Sequence, residues 1–306
     1  MKVYTKLTDL TKSYRDIVVA LGMFDGVHIG HQSIIRRAVE LAREIKGTAM
    51  VFTFSNHPLS VVAPQALPPQ IGNNLLRETR LQKLGVDVLM SVPFTRAFAG
   101  NSPEEFLQLL QQEFAPRYVV TGPNYTFGAK GKGNQLLLLR AGRDYGFRTE
   151  ICPAVLKEGR PVSSTRIRSL LDQGNLLEAN DFLGYEFTVI DRVIHGDQRG
   201  RTLGFPTANL AIPDERVMLP NGVYAARVIY EGKHYDGLAN IGNNPTFEGC
   251  NRRLEVNIQD FSQDIYDKVL EVRFLARLRD EVKFDGVEQL VRQMRKDKEK
   301  ARSYWG

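Results

Sequence analysis

The chain has 306 residues, enough for two modest domains that each bury a core and more than a single small binding module needs. With 42% hydrophobic and 25% charged residues it has the composition of a soluble globular protein. No stretch approaches the ~20 apolar residues of a membrane span, MKVYTKLTDL lacks the apolar core of a secretory leader, and the net charge of +6 suits phosphorylated ligands, so a cytoplasmic protein with no membrane partner is expected.

From the start to about residue 183, short apolar runs alternate with amphipathic segments. Strands are predicted at 16–24 (DIVVALGMF), 48–54 (TAMVFTF), 86–94 (VDVLMSVPF), 117–122 (RYVVTG) and 148–155 (RTEICPAV). Helical spacing occupies 31–46, 73–84, 103–113 and 132–145 between them. Such alternation predicts an α/β fold with a Rossmann-like parallel sheet, whose ligands sit at the carboxyl ends of the strands. The segment 170–184 (LLDQGNLLEANDFLG) is helical and polar and reads as a connector, which sets domains at 1–184 and 185–306. After it the rhythm changes to closely spaced strands, in YEFTVIDRVI, GVYAARVIYEG, KHYDGLANIG, RRLEVNI and KVLEVRFLARL, with a turn at EGK (231–233) and a helix over about 286–304. Short antiparallel strands with one terminal helix point to an all-β barrel.

Two features with other readings can be placed at once. Cys152 and Cys250 lie far apart with no C-x-x-C spacing, which indicates neither a disulfide framework nor a cysteine zinc site. The basic run RQMRKDKEKAR (292–302) is interrupted by Asp297 and Glu299 and reads as a solvated helix face, so no nucleic-acid partner is expected.

GMFDGVHIGH (22–31) falls at the first strand-to-helix turn. Gly22, Gly26 and Gly30 let backbone approach a ligand closely, and the helix that follows presents free N–H groups to an anion. His28 and His31, about one helical turn apart, can face one ligand and donate to a phosphate whose charge grows during reaction. Paired histidines are also common metal ligands, and two incidental histidines at a helix cap are a third reading.

The pattern G-x-F-D-G-x-H-x-G-H, with its Phe24 and Asp25, resembles the signature of the nucleotidyltransferase superfamily, which transfers a nucleotidyl group from a nucleoside triphosphate to a phosphate and releases pyrophosphate. SSTRIR (163–168) resembles that superfamily's second signature, S-S-T-x-I-R. The resemblance implies that Gly22, Phe24, Asp25 and Gly30 bind nucleotide beside His28 and His31, and that Ser163, Ser164, Thr165 and Arg168 contact ATP. As local structure, SSTRIR is also a helix N-cap. TFSNHP (53–58) and GPNYTFGAKGKGN (122–134) resemble segments typical of bacterial FAD synthetases. The first departs from the pattern at Asn56, where proline is usual, and places His57 beside the site; the second offers Asn124 for a polar contact and Tyr125 and Phe127 for packing.

RGRTLGFPTANL (199–210) places a hydroxyl and an amide, Thr207 and Asn209, on one face of an extended segment. Hard oxygen ligands of that kind suit Mg²⁺ bound to a nucleotide, although the same pattern also suits a strand entry with a fixed turn. NIGNNPTF (240–247) and RRLEVNI (252–258) follow, the latter carrying Glu255, which can alternatively be a surface carboxylate paired with Arg252 or Arg253. These segments, in this order, resemble the riboflavin kinase domain, a six-stranded barrel. The resemblance implies that Gly204, Pro206, Thr207 and Asn209 hold Mg-ATP, with Mg²⁺ on Thr207 and Asn209, and that Glu255 is the catalytic base. Asp191 stands where a glycine often precedes this stretch. Together the two halves resemble the bifunctional bacterial riboflavin kinase/FAD synthetase family, which implies riboflavin, FMN, FAD and ATP as ligands. A nucleotidyltransferase with another acceptor leaves PTAN and LEVNI without a purpose, and a non-enzymatic flavin- or RNA-binding protein has no use for the paired histidines. Oligomeric state has no signature in the sequence.

Overall fold

The structure, a computed structural model, describes residues 1–10, 14–195, 207–247 and 250–305. It divides into two compact units, one of Met1–Pro68 with Arg77–Ser163, the other of Pro69–Leu76 with Ser164–Gly306.

The first unit is built on a parallel sheet in the order β1-β4-β3-β2-β5-β6, formed by β1 (Lys2–Tyr4), β2 (Ile17–Leu21), β3 (Thr48–Phe54), β4 (Val88–Val92), β5 (Tyr118–Thr121) and β6 (Arg148–Ile151). Every residue of β2 is buried, as expected of a strand covered on both faces. Ile17, Val19 and Leu21 enter one core with Phe52, Phe106 and Phe114, while Val18 and Ala20 enter another with Ile35, Ala38 and Leu41. The helices are α1 (Ile29–Glu44), α2 (Leu59–Val62), α3 (Asn74–Lys83), α4 (Arg96–Gly100), α5 (Pro103–Phe114) and α6 (Gln135–Tyr145), and a small hairpin, β7 (Leu156–Lys157) with β8 (Arg160–Pro161), follows. α5 starts where the sequence says it must, with Ser102 and Glu105 forming a reciprocal capping box and Pro103 in the first turn. Starting from the central β2, the chain steps through β3 to β4 on one side, then crosses to β5 and β6 on the other. The gap between β2 and β5 is therefore the topological switch point, where the loops leaving both strands diverge and a crevice opens. The predicted strand 16–24 ends earlier, at Leu21, because Phe24 turns into the left-handed region with φ 52°.

The second unit opens with α7 (Ser164–Asp172) and α8 (Leu176–Leu183). The polar reading of 170–184 is corrected here: Leu170 and Leu171 at the end of α7 and Leu176, Ala179, Phe182 and Leu183 in α8 are buried, because each helix turns its apolar residues inward, while Leu177 stays exposed. Six strands follow, β9 (Thr188–Arg192), β10 (Thr207–Ile212), β11 (Gly222–Tyr230), β12 (Lys233–Phe247), β13 (Cys250–Ile258) and β14 (Val269–Arg279), and then α9 (Val287–Trp305). The antiparallel order is β10-β13-β12-β11-β14-β9, and a bridge between Ile194 and Asn209, with Ile194 N–H donating to Asn209 O at 2.8 Å, joins the two ends into a barrel. The EGK turn is the two-residue loop between β11 and β12: Tyr230 pairs with Lys233, while Glu231 (φ 48°) and Gly232 (φ 77°) take the positive dihedrals that such hairpins require. α9 docks Ala301 and Trp305 onto Val223, Ala225 and Leu238, so one barrel face is roofed by the terminal helix.

Candidate functional sites in the two units

In the first unit the predicted motif occupies the β2–α1 turn at the switch point. Phe24 (φ 52°), Gly26 (φ 74°) and Val27 (φ 38°) all lie in the left-handed region, and for the β-branched Val27 this is strained. The turn swings His28 to the N-cap of α1, where its Nδ1 accepts the His31 N–H at 3.3 Å. An accepting Nδ1 leaves the ring proton on Nε2, which makes His28 a donor at its far edge. The His28 and His31 rings stack with centroids 3.6 Å apart and 17° between planes, and Phe24 meets His31 edge-on at 5.4 Å. Gly30 favours this stack, since a Cβ there would stand 3.2 Å from the His28 imidazole and the ring would have to shift. Gly22 likewise: a Cβ would lie 2.9 Å from the Phe24 ring. Asp25 and His28 are buried, and Gln32 Nε2 donates to Val27 O at 2.9 Å to hold the turn from below.

A residue that sequence reasoning passed over organises the same turn. Arg77, buried in α3, donates to Met23 O at 3.2 Å and Phe54 O at 2.9 Å, tying the ends of β2 and β3 together. Burial pulls its guanidinium down to about 10, against the opposing pull of Asp25 and Glu78. Asn124 is exposed in the turn after β5, on the other side of the switch point from the histidines. Tyr125 and Phe127 stack at 6.0 Å, Phe127 packs on Phe106 at 5.4 Å, and burial pushes the Tyr125 phenol up. Asn56 bridges the ends of β3 and β4, its Oδ1 accepting Phe94 N–H at 2.8 Å and its Nδ2 donating to Phe94 O at 3.1 Å. That clamp sets Phe54, Phe94 and Phe98 in mutual contact, with centroids 4.9 to 5.9 Å apart. His57 caps the short α2, with Nδ1 accepting Leu59 N–H at 3.1 Å.

The second signature divides between units. Ser163 closes the first, while Ser164, Thr165 and Arg168 lie in the first turns of α7 in the second, where Arg168 Nε donates to Pro69 O at 2.6 Å.

In the second unit the barrel register brings the predicted kinase residues together. Gly204 and Pro206 lie outside the described residues. Thr207 and Asn209 share one face of β10, and Glu255 pairs directly with Asn209 on one side and Asn240 on the other. The neighbouring row is Thr207, Asn257 and Leu238, and the row beyond Glu255 is Ala211, Arg253 and Gly242. Arg253 NH1 lies 3.5 Å from Glu255 Oε1. Asp191, in β9, pairs with Arg216 at 3.0 Å.

Two cavities flank Thr207. One of about 380 Å³ is lined by Thr207, Asn209, Phe261 and Tyr266, and His195 stacks on Tyr266 at 3.9 Å. The other, of about 310 Å³, lies under α9, with Leu238, Phe284, Leu290 and Met294 making an apolar pocket and Glu255 and Thr207 at its wall. Asp297 also lines this second cavity and is buried, held by Arg279 at 2.8 to 3.0 Å and by Gln293 at 2.9 Å. The solvated-face reading of 292–302 is thus corrected at Asp297 and Ala301. Leu290, Met294, Asp297 and Ala301 follow helical spacing, a stripe visible in the sequence but masked by the lysines and arginines around it.

Comparison with known proteins finds a family for each half of the chain. Residues 10–166 match the FAD synthetase family and residues 183–305 the riboflavin kinase family. The bifunctional riboflavin kinase/FMN adenylyltransferase of Listeria monocytogenes is 37% identical over 97% of this chain and 94% of its own. The proteins of that name from Bacillus subtilis (35%, over 94% of this chain and 92% of its own) and Escherichia coli K12 (34%, over 100% and 98%) are also similar. A crystal structure described as a macrolide-efflux protein from Streptococcus pneumoniae superposes with a TM-score of 0.82 at 37% identity, covering 98% of each chain. Among the described residues of the present chain, no helix is long and apolar enough to cross a membrane. With two family matches in order and relatives aligned over nearly their full length, the chain belongs to the bifunctional riboflavin kinase/FMN adenylyltransferase family.

Proposed function

We propose that the chain makes FAD from riboflavin in two steps, with a kinase domain over 185–306 and an adenylyltransferase domain over 1–184. The observation that carries the kinase assignment is the shared wall at Thr207: a cavity suited to a nucleotide on one side and an apolar cavity carrying Glu255 on the other. Riboflavin is a planar, largely apolar ring with a polar ribityl tail, and the 310 Å³ cavity offers Phe284, Leu290 and Met294 to the ring and Glu255 to the tail. Glu255 takes the proton of the primary hydroxyl as its oxygen bonds to the γ-phosphorus of ATP, the bond to the β-phosphate oxygen breaks, and ADP leaves. Asn209 and Asn240, beside Glu255 on either strand, hold polar groups of the substrates around that proton.

Thr207 and Asn209 supply a hydroxyl and an amide oxygen, the hard donors that Mg²⁺ accepts when it arrives on ATP phosphates. Among the described residues no group of three or more His, Cys, Asp or Glu forms an all-protein cage, and a nucleotide-borne ion requires none. When bound, Mg²⁺ neutralises charge on the transferring phosphoryl group. Gly204 and Pro206 belong to the same proposed ATP site by family resemblance.

In the first unit the FMN phosphate is already a nucleophile, so no strong base is needed. Its oxygen attacks the α-phosphorus of ATP and pyrophosphate departs. His28 donates from Nε2 with His31 stacked against it, Gly22, Phe24, Asp25 and Gly30 shape the turn, and Asn124 stands across the crevice. Ser163, Ser164, Thr165 and Arg168 are assigned to ATP on the strength of their signature. The cytoplasm, where ATP is abundant, is the compartment this chemistry fits.

The test is to incubate the purified chain with riboflavin, ATP and Mg²⁺ and to separate the flavins over time. FMN should appear and give way to FAD. FMN that never proceeds to FAD would refute the adenylyltransferase assignment, and no turnover of riboflavin would refute the kinase.

A further inference from the structure

The side chain in contact with the proposed base has no part in the reading above. Arg253 lies two residues before Glu255 on the same face of β13, and its side chain is 6% exposed against 38% for Glu255. A guanidinium taken that far out of water is costly unless carboxylates compensate it. The register makes room for it: its cross-strand neighbours are Ala211 and Gly242, the two smallest side chains in that row of the site. Glu281 approaches from the segment after β14, with its Oε1 2.5 Å from where a Gly242 Cβ would stand, so a larger residue at 242 would displace it. Glu281 lines the same cavity as Glu255. Asn221 Nδ2 holds the other oxygen, Oε2, at 3.4 Å. Arg253 therefore lies in a slot of small residues on the carboxylate face of the sheet, with its NH1 on Glu255 Oε1.

We propose that Arg253 is a positioning residue of the kinase reaction, engaging one oxygen of the Glu255 carboxylate so that the other faces the substrate hydroxyl. This rests on Glu255 being the base. Arginine suits the task because it stays charged throughout the cycle and donates without accepting, so it orients the carboxylate without competing for the proton in transit. A lysine at the same position would supply charge with poorer direction. Arg253 acts on kcat, through the geometry of proton transfer, and leaves both substrates' binding cavities intact.

The experiment uses the full-length chain and measures riboflavin phosphorylation and, separately, FAD formation from supplied FMN, in Arg253→Met, Arg253→Lys, Glu255→Gln and the Arg253→Met/Glu255→Gln double variant. Arg253→Met should lower kinase kcat about 10- to 100-fold, a fraction of what a general base contributes. KM for riboflavin and for ATP should stay within about twofold, and FAD formation from FMN should be unchanged, which controls for folding of the chain as a whole. Arg253→Lys should recover part of the loss. In the Glu255→Gln background, Arg253→Met should cost nothing further, because a positioning residue has nothing left to position. An unchanged kcat in Arg253→Met, a loss confined to the KM for ATP, or a full further loss in the double variant would each overturn the proposal while leaving Glu255 as base. An active Glu255→Gln enzyme would instead remove the reading on which it rests. Should Arg253→Met leave the barrel unfolded, Arg253→Lys decides: a partial loss of kcat in a folded Lys variant with normal substrate KM agrees with directional positioning, and a wild-type kcat contradicts it.

Discussion

His28 performs two tasks with one ring. Its Nδ1 closes the N-terminus of α1 and its Nε2 is the proposed phosphate donor, so replacing it removes a cap and that donor together. His28→Ala should cut FAD formation from FMN at least ~100-fold, the usual worth of a donor to developing charge, while leaving riboflavin phosphorylation at wild-type rate. His28→Asn separates the tasks: asparagine caps helices well, so the ~1 kcal/mol of capping stability should return in a urea melt while the activity stays lost. An active Asn variant would make His28 structural alone. His28 and Glu255 were legible because they sit in short dense patterns. Arg77 was not, because an arginine drawn into the interior to hold strand-end carbonyls looks, in sequence, like any solvated arginine, and the Arg253–Glu255 pair was legible only as the alternative to a catalytic role for Glu255.

Among the helices and strands, legibility followed periodicity. The inner parallel strands β2 to β5 were found within a few residues because they are buried and read as apolar runs, and their ends moved where turn residues such as Phe24 took positive φ; the short, exposed edge strand β1 has no such signal. β10 was legible as an extended segment from PTAN but not from hydrophobic pattern, since TANLAI alternates between a polar face and a core face and its polar half resembles a loop. α9 was placed correctly but judged by its lysines, and the buried Asp297 was missed. Breaking a buried pair from one side strands the other charge, so Asp297→Ala should destabilise the second unit by about 3 kcal/mol. It should also raise the riboflavin KM, because Leu290 and Met294 reach the cavity from the helix that Asp297 pins. The single tryptophan, Trp305, lies at the end of that helix, so its fluorescence in a denaturant titration follows α9 directly. A normal KM with unchanged fluorescence midpoint would show that Asp297 pins nothing.

Asp87 offers a pH-dependent counterpart in the first unit. Burial works against its ionisation, but Arg43 grips both oxygens at 2.7 and 2.9 Å and Ala49 N–H donates at 2.9 Å, and together they hold the carboxyl below its ordinary value. A depressed carboxyl contributes stability above its unfolded pKa and loses it as pH falls through the lower folded value. Asp87→Asn should therefore cost about 1 kcal/mol near pH 7, a figure set by solvent screening of a partly exposed pair. Melts repeated below the ordinary carboxylate range should show the variant and parent converging; a gap that persists in acid would assign the effect to the hydrogen bonds alone.

Taken as one chain, the protein pairs two folds whose chemistries share no residue. The histidine turn belongs to a parallel sheet with its own two cores, and Glu255 belongs to a barrel roofed by its own helix. The intermediate that joins them, FMN, is a small soluble phosphate, and a product that can leave one site can enter another by diffusion. Separate active sites of this kind should complement in trans. His28→Ala should retain the kinase, Glu255→Gln should retain the adenylyltransferase, and neither alone should convert riboflavin to FAD. Mixed in equal amounts with riboflavin, ATP and Mg²⁺, the two variants should make FAD after a lag while free FMN accumulates, releasing one ADP and one pyrophosphate for each FAD. The lag should shorten as the concentration of the Glu255→Gln partner rises. A mixture in which FMN stays bound to the His28→Ala chain and no FAD forms, although the Glu255→Gln chain adenylylates added FMN normally, would mean that FMN is not released between the two sites. Because the histidine turn and Glu255 lie in different units, complementation is the outcome expected.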